Sequence, residues 1–321
     1  MALDVAMVVW REFDDLHRIR GLIESQSVQP EKVLLAVNDP DKAAPHLSGW
    51  VKPWDLFPGS NSGYAGGLER VWNRGQAEWI LVMNTDLEFP PDTLERFEAL
   101  ARSVPDHVGA IGPKVVYPDG RLQVAGGLMM GPEGICRPRG IGQEDRGQFD
   151  TPGSVPLLSG CCLLLRRSML KDVGGFDSGF FMYLEEVDVL MRALWAGWTS
   201  HYEPSIRVVH RHGGSAGRYG ALQLRLLERN HWWVLPQLPL EMALLSPFRT
   251  AERWVKMALG RSRAVPATWQ APFLALGATI EGWAGLPRRL LRRSPRRVDA
   301  ARVRELMKGH TLTMDEFLEL P

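Results

Sequence analysis

The sequence predicts an α/β fold: a parallel sheet covered by helices on both faces, with a helical extension at the C-terminal end. Three observations carry that expectation. Short apolar runs alternate with helical apolar spacing through the first hundred residues, the pattern of doubly covered strands joined by crossover helices. Polar residues close several of those runs, as at the ligand-binding edge of such a sheet. After residue 236 only basic, tryptophan-containing helical segments remain.

The elements follow in order. Val5–Val9 is the first apolar run and precedes Leu16, Ile19 and Ile23 at helical spacing. Val33–Val37 is a second strand, closed by the turn formers Asn38-Asp39-Pro40. Gly63 precedes a helical pattern through Leu68, Val71 and Trp72 that ends near Gly75. Trp79–Met83 is a third buried-type strand, followed by Asn84-Thr85-Asp86 and a helix through Leu94, Phe97 and Leu100. Further strands are expected at Val108–Ile111, Lys114–Tyr117 and Leu157–Arg166, with a long Gly/Pro-rich connection over 126–147. Val187, Leu190, Met191, Leu194 and Trp195 make Glu185–Trp195 an amphipathic helix, stopped by Gly197. Ile206–Val209 is a last strand, ending at His210. The expected organisation is a body over residues 1–235 and a basic helical region over 236–321.

Composition narrows the function. The 321 residues, 45% hydrophobic and 23% charged, suit one large domain or a domain with an appendage and exclude a mainly disordered chain. Three cysteines, two of them adjacent, exclude a disulfide framework and a cysteine-rich zinc module, and point to a reducing compartment. No apolar stretch of about 18 residues runs unbroken, so no spanning helix is expected. The net charge of +1 hides an asymmetry: residues 245–308 hold 14 Lys+Arg against 4 Asp+Glu, leaving 24 against 33 elsewhere. A basic tail on an acidic body suggests an element that meets an anionic surface. No recognition motif accompanies the charge, so nucleic acid is not expected as a partner.

Asn38, Asp39, Asn84, Asp86 and His210 all fall at strand ends. One alone reads as a turn residue; together they read as a site. A carboxylate leaving a strand at Asp86 suits a divalent cation, which prefers oxygen ligands, and His210 is placed to complete the coordination. Asn61-Ser62-Gly63-Tyr64-Ala65-Gly66-Gly67 opens a helix with small residues that let backbone N–H groups approach an anion. It has neither the Walker nor the dinucleotide spacing, so alone it reads as a helix start. Glu185, Glu186 and Asp188 crowd the first turn of the amphipathic helix, where acids complement the dipole and Asp188 reaches Arg192 at i+4. Two adjacent glutamates cannot both face that pair. The segment before them is aromatic and apolar, as a pocket wall is, and a carboxylate there suits a general base.

Three sets have plainer readings. Cys161 and Cys162 point to opposite faces of a strand and read as packing residues. Trp232 and Trp233 read as helix packing or as membrane-interface residues. The arginine pairs at 288–289, 292–293 and 296–297, interleaved with leucines, read as a solvated helix or as a membrane-surface helix.

Asn61–Gly67, Asn84-Thr85-Asp86, Ser159-Gly160-Cys161, Gly174-Gly175-Phe176-Asp177, Phe181–Asp188, Gly197-Trp198, His210 and Arg229-Asn230 come in the order and spacing of family 2 glycosyltransferases. The sequence resembles most the bacterial rhamnosyl- and galactofuranosyltransferase-like branch, over roughly residues 3–233. The resemblance implies a GT-A fold, with a Rossmann-like nucleotide-binding mixed sheet flanked by helices, and an inverting, metal-dependent transferase using a nucleotide-sugar donor and Mg²⁺ or Mn²⁺. Asp86 then matches the last acid of the family's metal-binding DxD motif, with Asn84 at its first position. Glu186 matches the base that deprotonates the acceptor hydroxyl, with Glu185 and Asp188 as supporting neighbours. His210 matches a histidine of the metal or diphosphate shell. Asn38, Asp39, Asn61, Gly63 and Asn84 are the expected donor contacts.

The strand ends Trp10-Arg11-Glu12 and Asn38-Asp39 depart from the family's usual Thr-Tyr-Asn-like and Asp-Asn turns. The donor is therefore left open among UDP-, dTDP- and GDP-sugars. The expected acceptor is a glycan or its polyprenyl-linked precursor, and the expected location is the cytoplasm, peripheral to the inner face of the membrane. A non-catalytic nucleotide-sugar binder or membrane scaffold is the alternative reading, and a nucleotide-sugar hydrolase a third.

Overall fold

The computed structural model describes residues 2–11, 13–211, 220–259, 271–291 and 295–320. It opens with β1 (Asp4–Val9), α1 (Phe13–Glu24), β2 (Val33–Val37), α2 (Pro40–Leu47), β3 (Trp54–Pro58), α3 (Gly63–Val71) and β4 (Trp79–Met83). These four strands pair in parallel in the order β4-β1-β2-β3, and β1, β2 and β4 are buried along almost their whole length. Continuous apolar strands of this kind are stable only with both faces covered, which the crossover helices provide.

The sheet becomes mixed beyond β4. There follow β5 (Leu87–Glu88), α4 (Thr93–Ser103), β6 (Val108–Val116), β7 (Leu122–Val124), β8 (Leu128–Met130), β9 (Cys136–Pro138), β10 (Gly153–Val155) and β11 (Cys162–Arg166). Then come α5 (Arg167–Val173), α6 (Glu185–Trp195) and β12 (Thr199–His210). The main sheet runs β10-β12-β6-β11-β4-β1-β2-β3, with β11 antiparallel to both neighbours, and β8-β9 forms a separate hairpin. The α/β expectation holds, and the helix over Glu185–Trp195 has the expected ends.

Several strands differ from expectation. The segments 108–111 and 114–117 are one strand, β6, which runs through Gly112-Pro113. A Cβ on Gly112 would lie 2.8 Å from the Leu158 side chain, so the glycine is a packing requirement rather than a break. Pro113 has no N–H to give the ladder, and β12 slips there: Glu203 pairs with Pro113 but Arg207 with Lys114. That slip lets β12 extend from Thr199, well before the Ile206 start that apolarity alone indicated. The strand expected at Leu157–Arg166 begins only at Cys162, because Leu157 and Leu158 are buried in the loop leading to it.

The C-terminal elements are α7 (Ala221–Val234), α8 (Leu240–Ala258), α9 (Ala271–Leu291), α10 (Ala300–Met307) and α11 (Met314–Glu319). Trp232 and Trp233 are buried between α7 and α9, the packing reading. The Trp233 indole donates to Gly282 O at 3.0 Å, and a Cβ on Gly282 or Gly285 would stand 2.5 Å from an indole ring. The arginine run is likewise engaged. Arg289 is buried on Asp177, Arg296 stacks over Trp195, and Arg297 pairs with Asp172; Arg292 and Arg293 lie outside the described residues. On α8, buried Arg253 sits between Glu133 (2.8 Å) and Glu228 (2.7 Å), joining α7, α8 and the β8–β9 hairpin. Among the described residues no helix is long and apolar enough to cross a membrane.

Candidate active site

The carboxyl edge of the parallel strands gathers most of the expected residues. Asp86 follows β4, and β5 then pairs antiparallel with the end of β12, setting His210 opposite Leu87. The backbone N–H of Arg211 donates to Asp86 O, and Arg18 on α1 donates to Thr85 O and Leu87 O, so the turn is held from both sides. Strand register therefore brings His210 Nε2 to 3.1 Å from Asp86 Oδ1 and 3.2 Å from Asn84 Nδ2.

The imidazole's other nitrogen also has a partner, which orients the ring. Nδ1 lies 2.8 Å from Gln123 Oε1 on β7, and the Gln123 amide also meets the Tyr117 hydroxyl. With the Nδ1 proton donated to Gln123, neutral imidazole turns its Nε2 lone pair toward Asp86, with the Asn84 amide 3.2 Å away. A cation between Nε2 and the carboxylate, a proton or a metal ion, satisfies both atoms. Donors about 2.1 Å from a magnesium-sized ion, at right angles, stand about 3.0 Å apart, so the pair fits a hard divalent metal. Among the described residues no group of three or more His, Cys, Asp or Glu side chains could hold a metal unaided. Two protein donors suit an ion that takes its other ligands from phosphate and water.

The second cluster lies across the Ser159–Cys161 loop. Asn84 N–H donates to Cys161 O, and Tyr64, from the start of α3, donates its hydroxyl to Gly160 O at 3.0 Å. A Cβ on Gly160 would stand 3.3 Å from Glu186 Cβ, so α6 begins directly against this loop. Burial pushes the Cys161 thiol up to about 12, and the charges of Asp86 and Glu186 both add to it, which puts Cys161 between the two clusters.

Glu185 and Glu186 differ in environment. Glu185 is 5% exposed, and burial raises its carboxyl well above the ordinary glutamate value, with the Glu186 charge adding. Glu186 is half-buried. Desolvation raises it too, but N–H groups of its own residue, Gly160 and Val187 offset part of that. Of the pair, Glu186 ionises first. Asp188 points elsewhere: it pairs with buried Arg192 at 2.7 Å, and Arg192 also donates to Val173 O and Gly175 O, locking the turn before the pocket wall.

That wall is strained. Phe181, Tyr183 and Leu184 have φ between 64° and 71°, the left-handed region that bulky side chains avoid. Asn230 on α7, 0% exposed, holds them: its Nδ2 lies 2.7–3.0 Å from the carbonyls of Phe180, Met182 and Tyr183. Arg229 donates to Gly179 O and Phe180 O beside it. Gly63 faces the same wall, where a Cβ would fall 2.1 Å from Phe181 O.

The expected donor contacts divide. Asn38 Nδ2 donates to Gly63 O and Asn61 Oδ1 accepts from Gly63 N–H, so these three form one cluster at the end of β2. Asp39 turns instead to Arg11 (3.3 Å) and Lys42 (3.7 Å). Tyr64, Gln123 and Cys161 were not singled out as site residues from the sequence. Gln123 and Tyr64 carry no periodic signal, and Cys161 reads as packing until the loop before β11 is seen.

A family model described as "Glycosyl transferase family 2" matches residues 6–174. An N-acetylglucosaminyl-diphospho-decaprenol L-rhamnosyltransferase of Mycobacterium tuberculosis is 31% identical over 268 residues, covering 73% of this chain and 87% of the relative. A solved mannosyltransferase from Pyrobaculum calidifontis, in complex with GDP-Man and Mn²⁺, superposes with a TM-score of 0.51 at 15% identity, covering 90% of this chain and 85% of that one. GalNAc-T7 with UDP, GalNAc and Mn²⁺ gives 0.54 at 12% identity, covering 90% and 56%. The fold is thus GT-A, and the family match is far too extensive for a fold likeness alone. The chain belongs to glycosyl transferase family 2 and is a nucleotide-sugar-dependent glycosyltransferase.

Proposed function

We propose that the chain transfers rhamnose or a related hexose, with inversion, from a nucleotide sugar to a hydroxyl of a polyprenyl-diphosphate-linked acceptor. Asp86 and His210 would hold Mg²⁺ or Mn²⁺, and Glu186 would be the base. The observation that carries the reading is the split between two adjacent carboxyls, one deeply buried and one able to ionise, next to a carboxylate–imidazole pair at metal-ligand spacing. The named acceptor of the mycobacterial relative suggests the acceptor class.

In this reading Glu186 takes the proton of the acceptor hydroxyl as its oxygen bonds to the anomeric carbon. The carbon–oxygen bond to the diphosphate breaks on the opposite side, and the bonding electrons leave with the nucleotide. A bound divalent cation neutralises the charge that accumulates on that leaving group. Asn38, Asn61 and Gly63 border the donor, and Glu185, held protonated by burial, does not compete for the proton. Asp39, paired with Arg11, shapes the donor rim. A body at residues 1–235, with 236–321 seating it at the acceptor, is the division of labour we favour. Free cysteines and a lipid-linked acceptor suit work at the cytoplasmic face of a membrane.

The test is transfer from dTDP-rhamnose, UDP-sugars and GDP-sugars to a short polyprenyl-diphospho-N-acetylglucosamine, with Mg²⁺, Mn²⁺ or chelator. Metal-dependent transfer with inversion at the anomeric carbon is expected. Donor breakdown unaffected by acceptor would identify a hydrolase, and donor binding without turnover a non-catalytic binder.

A further inference from the structure

Two helices present large apolar side chains to solvent along a single stripe each. On α8 these are Leu240, Leu244, Phe248 and Val255, with Phe248 73% exposed. On α9 they are Phe273, Leu276, Ile280 and Trp283, with Phe273 71% exposed. The spacings of three, four and seven residues keep each set on one side of its helix. The opposite sides are taken by the body, through Thr250 and Arg253 on α8 and Gly282 and Arg289 on α9. From Phe273 to Pro287, about 21 Å of helix, the single charged residue is Glu281, which is paired with Arg225 at 2.6 Å. Apolar surface on this scale marks an interaction site.

We infer that the outward faces of α8 and α9 dock into the headgroup–acyl boundary of a lipid leaflet, and that apolar insertion rather than charge holds the chain there. Three features select lipid. The stripes combine leucine, isoleucine, phenylalanine and tryptophan, the composition of helices that lie in a bilayer interface. Exposed Arg288 lies beyond the α9 stripe, and exposed Arg225 and Arg249, paired with Glu281 and Glu252, border the two stripes, where phosphates of the headgroup layer would be met. Neither helix can span, so the stripes lie along a leaflet. The choice of lipid also rests on the lipid-linked acceptor proposed above. Among the described arginines of the 288–297 run, Arg289, Arg296 and Arg297 engage the body, so the docking does not rest on their charge.

Docking would reach the chemistry directly. Arg289 on α9 pairs with Asp177 and lies over the Phe180 ring, on the strained wall that leads into Glu186. A helix resting in the leaflet thus borders the place where a lipid-borne hydroxyl must arrive.

Flotation of the full chain with vesicles tests this without donor or acceptor, so it stands or falls apart from the proposed reaction. Neutral phosphatidylcholine vesicles and vesicles with added phosphatidylglycerol are compared at low salt and at about 0.5 M salt, where the screening length falls to a few ångströms. The chain should float with both and remain bound at high salt. The pairs Leu244→Glu/Phe248→Glu and Phe273→Glu/Ile280→Glu should each cut the floated fraction at least about tenfold, with the same circular dichroism and the same metal-dependent nucleotide affinity as the parent. Binding confined to anionic vesicles and lost in salt would overturn apolar insertion in favour of the tail charges. No flotation, with an oligomer that either pair dissociates, would assign the stripes to a second copy of the chain.

Discussion

Neighbouring glutamates at the start of α6 carry opposite expectations. Glu186→Gln keeps the shape of the side chain but removes its proton affinity. Transfer should fall at least about 10²-fold, with donor binding unchanged, as measured by single-turnover kinetics beside equilibrium titration. Glu185→Gln should remain active and become more stable at neutral pH. The sign follows from linkage. Both carboxyls titrate above the ordinary value of 4.5 in the folded chain, so the stability they contribute is full below that pH and lost as pH rises through the folded values. Replacing Glu185 removes part of that loss, and thermal unfolding of parent and variant from pH 4 to pH 8 (on the order of the range over which buried carboxyls titrate) should show curves that diverge upward. Curves that stay parallel would mean Glu185 is not the strained carboxyl. At the metal pair, Gln123→Ala frees the His210 tautomer without touching a ligand. Metal affinity should drop about 10–100-fold, read by Mn²⁺ titration of nucleotide binding. Asp86 and His210 were legible in the sequence because strand ends are where an α/β sheet binds. Gln123 was not, since its place beside His210 depends on β7 folding back along β6.

At the scale of elements, the loop from Phe180 to Leu184 is a strained segment tied to α7 chiefly by the Asn230 amide, with Arg229 beside it. Asn230→Ala leaves three carbonyls without that donor and costs about 1–3 kcal/mol. Hydrogen exchange at residues 180–187 should quicken, and transfer should fall more than donor affinity does. Equal losses in both would make Asn230 a general stability residue. The family motif made Arg229-Asn230 visible as a string, but its work is visible only once α7 crosses the loop. The alternation of strand and helix through β4 was readable because each run had a single period. Beyond β6 that signal fails: β12 is part polar, and β8 and β9 are three residues each, too short for any periodicity to declare them.

For the whole molecule, the C-terminal helices are tied to the body by buried charge. Arg289 and Asp177 are both almost wholly enclosed, and removing one partner leaves the other desolvated. Arg289→Ala should cost about 3–5 kcal/mol by denaturant unfolding, whereas exposed Arg288→Ala should fall within about 0.5 kcal/mol of the parent. The slip in β12 opposite Pro113 has a different kind of consequence. Ser200 and Tyr202 pair with Ala110 and Gly112, whereas Val208 pairs with Val115, so residues of like parity face opposite sides of the sheet before and after the slip. The aim of His210 is therefore uncoupled from the start of the strand and set by the pairs from Arg207 with Lys114 to Val209 with Val116 and by His210 with Leu87. The slip is a slack joint: a change of chain length inside it is absorbed there, while one between Arg207 and His210 turns the imidazole to the other face.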